Sequence, residues 1–453
     1  MRSVENSRPA STLVRGRWVF TGAGGGDPTL DEGAVLIEGG TVRQTGSFRS
    51  LKESHPQALV LGSDRYAVMP GLINSHQRSL GATTMQHGIE DAAVEAWSFT
   101  MARKRPADVY LATLASAAAM LRSGVTTVVE AYNGDGRADQ YASRVSRSLD
   151  AYAQSGMRAA VAAGFKTSGF LVSGVGEDRR FLERLSPALQ ALALHRIPEG
   201  DAMGEDEYFG LMADLHQRYQ RHSRVGLWFG APGPQWVSDS FLQRSAALAE
   251  EWGIGLHTSV NETICEMLHG HQFYGASTMG HLERLEVLSE RFSVANAAWL
   301  DRSEMEVIAR NGVSVTHNPS ANLRLGSGVA PVDAMLEHGI NVALGTAGVT
   351  LNDDDDFFAE LRLAQSLRGE PGTRPTLVSA KRNWQLATAG GSALFRRGGA
   401  LGRLAPGAAA DLVLIDLERI TAPWVAPEVD PLELVLRRAR VGDVHTVLVS
   451  GDV

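Results

Sequence analysis

Short apolar runs alternate with amphipathic stretches through most of this chain, and that alternation is its strongest structural signal. The runs TTVVEAY, RAAVAAGF, RVGLWFG, GIGLHTSV, GVSVTHN and INVALGT read as buried strands. Between them, stretches such as VYLATLASAAAMLRSG and FLQRSAALAEEWG read as helices. The helical stretches end at Gly124, Gly253, Gly312 and Gly339, as left-handed C-caps prefer. Repeated strand–helix units predict an α/β fold with a parallel sheet. The ends of the chain differ from the middle. STLVRGRWVFTG and GAVLIEGGTVRQTG near the N-terminus, and ADLVLIDLE and HTVLVSGDV near the C-terminus, alternate with period two, and a GG turn marks a hairpin. These strands predict one small β-domain built from both termini, with the α/β region inserted between them. A barrel and a doubly wound open sheet satisfy the periodicity equally. No GxGxxG or P-loop follows a strand, and the glycines of GAGGGDP open no helix. The long connection from Ser168 to about Asp206 is a candidate lid or interface segment.

A length of 453 residues leaves room for one large barrel-sized domain and a small second one. With 44% hydrophobic and 21% charged residues the chain falls outside the disordered class. A net charge of −8 provides no basic face, which argues against nucleic acid and anionic membranes as partners. The N-terminus, MRSVENSRPAST, lacks an apolar signal-peptide core, and no run of about 18 apolar residues follows, so the expected location is cytoplasmic. The single cysteine, Cys265, fits a reducing compartment and reads as a small packing residue rather than a nucleophile.

At VMPGLINSHQRS the chain resembles the opening of the barrel in the amidohydrolase superfamily, in the branch of cytosine deaminase, guanine deaminase and triazine chlorohydrolase. GAVLIEGGTV and GALGRLAPGAAADLVLID look like the family's terminal signatures; SGVTTVVE, GLHTSVNETICE, VTHNPSANLRLGSGVAPV and INVALGTAG look like its successive barrel motifs. The resemblance implies a (β/α)8 TIM-type barrel over residues 69–396 and a small β-sandwich domain from residues 1–68 and 397–453.

The resemblance also shows where this chain departs. The branch holds its metal with a His-x-His pair, a His before a helical Glu, a His ending the next strand and an Asp in a Gly-Thr-Asp-Gly turn. Here the first position is His76, and the others are Arg78, Ser259, Asn296 and Ala347. Guanidinium, hydroxyl, amide and methyl groups do not replace imidazole and carboxylate donors around zinc or iron. No metal and no other cofactor is expected.

No other group supplies the missing donors. His269 and His271 in LHGHQF point to different faces of a helix. The run Asp353 to Asp356 reads as a solvated helix N-cap. His216 and His222 read as surface residues.

What the resemblance keeps is Glu262, in the place of the branch's general acid/base, together with His317, Asn322 and Asn352. The expected catalytic residues are Glu262, His76 and His317, and the expected substrate-binding residues are Arg78, Ser259, Asn296, Asn322, Gln235 and Trp97. Arg78 at a strand end could clamp a carboxylate or stabilise developing negative charge. Its structural alternative is an ion pair with Glu130. Lys166 also ends a strand and either reaches the pocket or faces solvent. Trp97, Phe99 and Trp236 read as pocket wall or core.

The expected function is metal-independent hydrolysis of a small nitrogen-containing substrate, anionic or heterocyclic. A lyase, isomerase or decarboxylase on the same scaffold is the nearest alternative, and a catalytically silent binding or scaffold protein is the alternative of another class. A homodimer or higher homo-oligomer is expected from the resemblance and from the frequency of two-fold assemblies.

Overall fold

The computed structural model describes residues 10–22, 29–101, 103–134, 137–174, 176–194, 197, 203–368, 379–395 and 400–453. Five strands come first: β1 (Thr12–Phe20), β2 (Thr29–Asp31), β3 (Gly33–Glu38), β4 (Thr41–Ser47) and β5 (Leu59–Pro70). Eight follow: β6 (Leu72–Gln77), β7 (Val125–Gly134), β8 (Arg158–Phe165), β9 (Val225–Ala231), β10 (Leu256–Val260), β11 (Phe292–Asn296), β12 (Ser314–His317) and β13 (Val342–Leu344). The chain ends with β14 (Leu412–Asp416) and β15 (Val444–Leu448).

Strands β6 to β13 pair in parallel and strictly in chain order, forming an eight-stranded sheet. That order decides between the two topologies the periodicity allowed, because a doubly wound sheet reverses direction at a switch point. Bonds between the last strand's end and the first draw the sheet round: the Thr346 and Ala347 amides donate to the His76 carbonyl at 3.1 and 2.8 Å, and Asn74 donates to the Thr346 hydroxyl at 2.9 Å. The result is the (β/α)8 TIM-type barrel. Its outer helices bury one face each. The helix Asp239–Trp252 starts at Ser238, whose hydroxyl accepts from the Phe241 amide, buries Phe241, Leu242, Ser245 and Ala249, and stops at Gly253 with φ 68°. Only glycine adopts that angle without strain.

The terminal strands join in one seven-stranded sheet, in the order β15-β14-β5-β1-β3-β4 with β2 on β1. β14 lies antiparallel to β5, so both ends of the chain meet there. Alternation along β1 sends Val14 into one apolar cluster and Leu13 into another on the opposite face. Arg158, the first residue of β8, pairs with Asp411 just before β14, with Nε–O 3.1 Å, and both are buried. That pair fastens the lower rim of the barrel to the sheet.

The insertion after Ser168 forms helices Glu177–Leu182 and Pro187–Leu194, neither of which buries a residue. The Asp178 carboxylate secures its start by accepting the amides of Phe170, Leu171 and Val172 at 2.7 to 3.0 Å. Residues 175, 195–196 and 198–202 of this insertion, and most of the GAGGGDP loop, lie outside the described residues. Among the described residues no helix is long and apolar enough to cross a membrane.

Candidate active site

The polar centre of the molecule lies where the barrel strands end. His76 near the end of β6 and His257 on β10 come from opposite walls, and Nδ1 of the first is 2.7 Å from Nε2 of the second. His257 Nδ1 continues to the Ser293 hydroxyl on β11 at 2.8 Å. Burial holds both imidazoles neutral, pushing His257 down to about 4 and His76 well below its usual range; each histidine also feels the Arg78 charge. The His76 Nε2 atom is buried and has no hydrogen-bond partner among the described residues. His257 did not feature among the expected site residues. The signal was a polar residue inside the apolar strand GIGLHTSV, two positions before Ser259 and therefore on the same, inward face.

Glu262 stands on the loop after β10. Its Oε2 accepts from Asn296 Nδ2 at 2.6 Å; Asn318 donates to Asn296 Oδ1 at 2.7 Å, and Ser259 Oγ lies 3.4 Å from Asn296 Nδ2. Asn296 adopts φ 72° and Asn261 φ 48° where the chain leaves β11 and β10. Asn tolerates this left-handed region better than most residues. Ala347 also sits there, at φ 52°, without that tolerance.

A second carboxyl group adjoins the first. Glu266 accepts the Glu262 amide at 2.7 Å and Gln235 Nε2 at 3.1 Å. Burial raises the affinity of both carboxyls for protons; mutual repulsion adds to the rise at Glu266, while Arg78 pulls Glu262 back. Gln235, expected to bind substrate, donates one amide N–H to Glu266.

Arg78 is half-buried. Its guanidinium carbon lies 5.7 Å from the Trp97 ring centre, and its Nε is buried without a hydrogen-bond partner among the described residues. The structural alternative does not form. Glu130 accepts the Ser79 amide at 2.9 Å, the Ser79 hydroxyl at 2.5 Å and the Tyr152 hydroxyl at 2.9 Å, so its oxygens are engaged by neighbours closer than Arg78. His317 is buried, neutral and pushed to about 4 by desolvation, with Nδ1 unpartnered. Both amide atoms of Asn322 and the Trp97 indole nitrogen are likewise buried and unpartnered among the described residues. Trp97 lies on the helix Val94–Met101, which covers the mouth by packing against Ala321, Leu325, Ala347 and Val349. Between His76, His257 and Ser259 the remaining cavity is about 10 Å³, room for roughly one water.

Several expectations need correction. Asn352 and Phe99 are exposed and stand outside the polar centre. Cys265 is exposed rather than packed, because the short helix Ile264–His269 turns it away from the core. His216 stacks on Trp252 with ring centres 4.6 Å apart, so it is not a free surface residue. In the acidic run, Asp356 does cap the helix Phe357–Ser366, but it is buried; Asp353 pairs with Arg324, and burial beside Asp354 pushes Asp355 up to about 6. Only Asp354 of the four is exposed. Lys166 is half-buried between the rings of Phe170 and Trp236, at 5.3 and 5.1 Å, and desolvation lowers it to about 8.

The donor set does not fit the divalent metal that the resemblance implies. Of the five positions, only His76 offers a bare imidazole nitrogen. Arg78 carries a cation, Ser259 and Asn296 are tied into the Glu262 network, and Ala347 has no donor. A zinc site takes three or four strong donors.

Residues 67–453 match the amidohydrolase family. A 5-methylthioadenosine/S-adenosylhomocysteine deaminase of Acetivibrio thermocellus is 30% identical over 85% of this chain and 80% of its own. The zinc-bound crystal structure of an adenosine deaminase from Xanthomonas campestris superimposes with TM-score 0.79 at 25% identity, covering 97% of this chain and 92% of that one. An atrazine chlorohydrolase from Arthrobacter aurescens, complexed with zinc, shares the fold with TM-score 0.81 at 23% identity, over 97% and 94% of the two chains.

Proposed function

Because the chain belongs to the amidohydrolase family, we propose that it is a metal-independent hydrolase that adds water to a carbon–nitrogen or carbon–halogen bond of a small nitrogen-containing substrate, heterocyclic or anionic. It is an enzyme acting on carbon–nitrogen bonds other than peptide bonds. The observation that carries the metal-independent reading is the Glu262–Asn296 bond of 2.6 Å beside Arg78, at positions whose donors do not suit a metal.

In this reading ionised Glu262 takes a proton from the attacking water and returns it to the leaving nitrogen. Arg78, Ser259 and Asn296 donate to the substrate or its oxyanion, while His76 and His317 supply unpartnered ring nitrogens that assist proton movement. Such chemistry requires an activated electrophile, because no step draws on a Lewis acid. Proton transfer alone would serve a lyase or isomerase with the same residues.

One observation favours the silent binding reading: the barrel centre is nearly filled and the helix Val94–Met101 lies over it. Metal analysis of protein purified without added metal or chelator, beside a screen of cyclic amidines, amides and halo- or amino-heterocycles with and without chelator, separates these readings. Chelator-resistant turnover that disappears in Glu262→Gln supports the hydrolase. Stoichiometric zinc or iron overturns metal independence, and metal-free protein without turnover supports the binding reading.

A further inference from the structure

Beside the polar centre, and sharing Glu266 with it, a cavity of about 290 Å³ opens between the helix Val94–Met101 and the segment that runs from Cys265 to Phe273. Glu95 and Glu266 supply two carboxyl groups to its lining, and Trp236 and Phe273 supply aromatic surface. Phe273 is 44% exposed and Leu268 54% exposed, so the cavity has an apolar lip at the surface. Glu95 is steadied by the Thr263 hydroxyl, which donates to it at 2.6 Å.

His269 lines the same cavity. It is 8% exposed, stacks on Phe273 with ring centres 4.4 Å apart, and makes no hydrogen bond to any described residue. Its ring nitrogens are not sealed off and stay accessible to a ligand in the cavity. Burial lowers its affinity for a proton, so at neutral pH its ring offers one nitrogen as an acceptor.

We propose that this cavity is a binding site for an organic cation, an amine or amidinium carried on a flat apolar body. Carboxyl groups and the His269 acceptor receive the N–H donors, and the aromatic faces receive both the charge and the apolar body. Other charges act nearby. Glu177 faces His269 and adds negative potential, whereas Lys166, on the Trp236 ring at 5.1 Å, opposes a cation from outside the lining. The inference does not rest on the proposed hydrolysis, since binding is read without turnover.

The chain's single cysteine makes the test specific, because Cys265 is exposed and lines the cavity. Benzamidine is the probe and neutral benzamide its control; the readout is the rate at which iodoacetamide alkylates Cys265 in the full chain. Benzamidine is expected to slow alkylation saturably at pH 7, and benzamide to need about ten times the concentration. Glu95→Gln, an exposed position that leaves the core untouched, is expected to weaken benzamidine protection by about tenfold.

Calorimetry in two buffers of different ionisation enthalpy supplies a second readout. Glu266 sits among carboxylates that favour its protonated form, and an arriving cation favours the ionised form, so binding at pH 7 should release protons. Equal protection by benzamide, or benzamidine protection unchanged in Glu95→Gln, overturns the cation site. Activity lost in Glu262→Gln with protection intact leaves both readings standing, and protection without any turnover separates this site from the failure of the proposed function.

Discussion

His76 and His257 reach from opposite walls of the barrel to share a hydrogen bond of 2.7 Å, closing its lumen beneath Ser259 with two neutral rings. Their neutrality has a measurable cost in acid. The folded-state affinity for protons is depressed, so the stability is fully present above the unfolded value near 6.5 and is lost as pH falls through the folded value. His257 and His317, both near 4, each remove about 3 kcal/mol over that window. Denaturant midpoints should fall steeply from pH 7 to 4.5, and His257→Asn should flatten the fall. An unchanged slope in the variant would remove His257 as a cause.

Glu360 predicts a trend of the opposite sign. It is buried, accepts the Ser320 amide at 2.9 Å and bonds the Ser320 hydroxyl, and desolvation raises it to about 8. Stability from this group is complete below the unfolded value near 4.5 and disappears as pH rises through 8. Glu360→Gln, which can keep both Ser320 bonds, should be more stable than the parent at pH 9 by about 5 kcal/mol and no more stable at pH 4.5. Paired urea titrations at the two pH values check this.

Arg78 lies close enough to Glu262 to favour its ionised form. In Arg78→Met that support is gone, and the acidic limb of the kcat/KM profile should move to higher pH if Glu262 is the general base. A fall in kcat/KM with an unmoved limb would assign Arg78 to substrate binding alone.

The Arg158–Asp411 pair is buried on both sides, and Asp411 also accepts the Ser450 amide at 2.7 Å. Arg158→Met strands that carboxylate and should cost about 3–5 kcal/mol. Replacing both partners by apolar residues should cost less, since no buried charge remains unpaired. Equilibrium unfolding of the single and double variants measures the difference.

The barrel was legible because its strands are buried on both faces and read as continuous apolar runs between periodic helices. Its closure was legible only through the resemblance, since periodicity is blind to strand order. Likewise the five positions around His76 were readable one by one from motifs. Whether Arg78 met Glu130 depended on Ser79 and Tyr152, the second of which lies 74 residues away and enters only when its helix packs against β8.

The sequence by itself determined the elements, the family resemblance and the chemical character of each site position, because these depend on local pattern and residue type. Tertiary structure alone decided the partners. It placed His257 against His76 from strands that are 181 residues apart, set Gln235 within hydrogen-bond reach of Glu266, and left Cys265 exposed beside two carboxyl groups. The physical reason is that burial and hydrogen bonding are set by distances across the barrel, and those distances exist only once all eight strands have come round to the first.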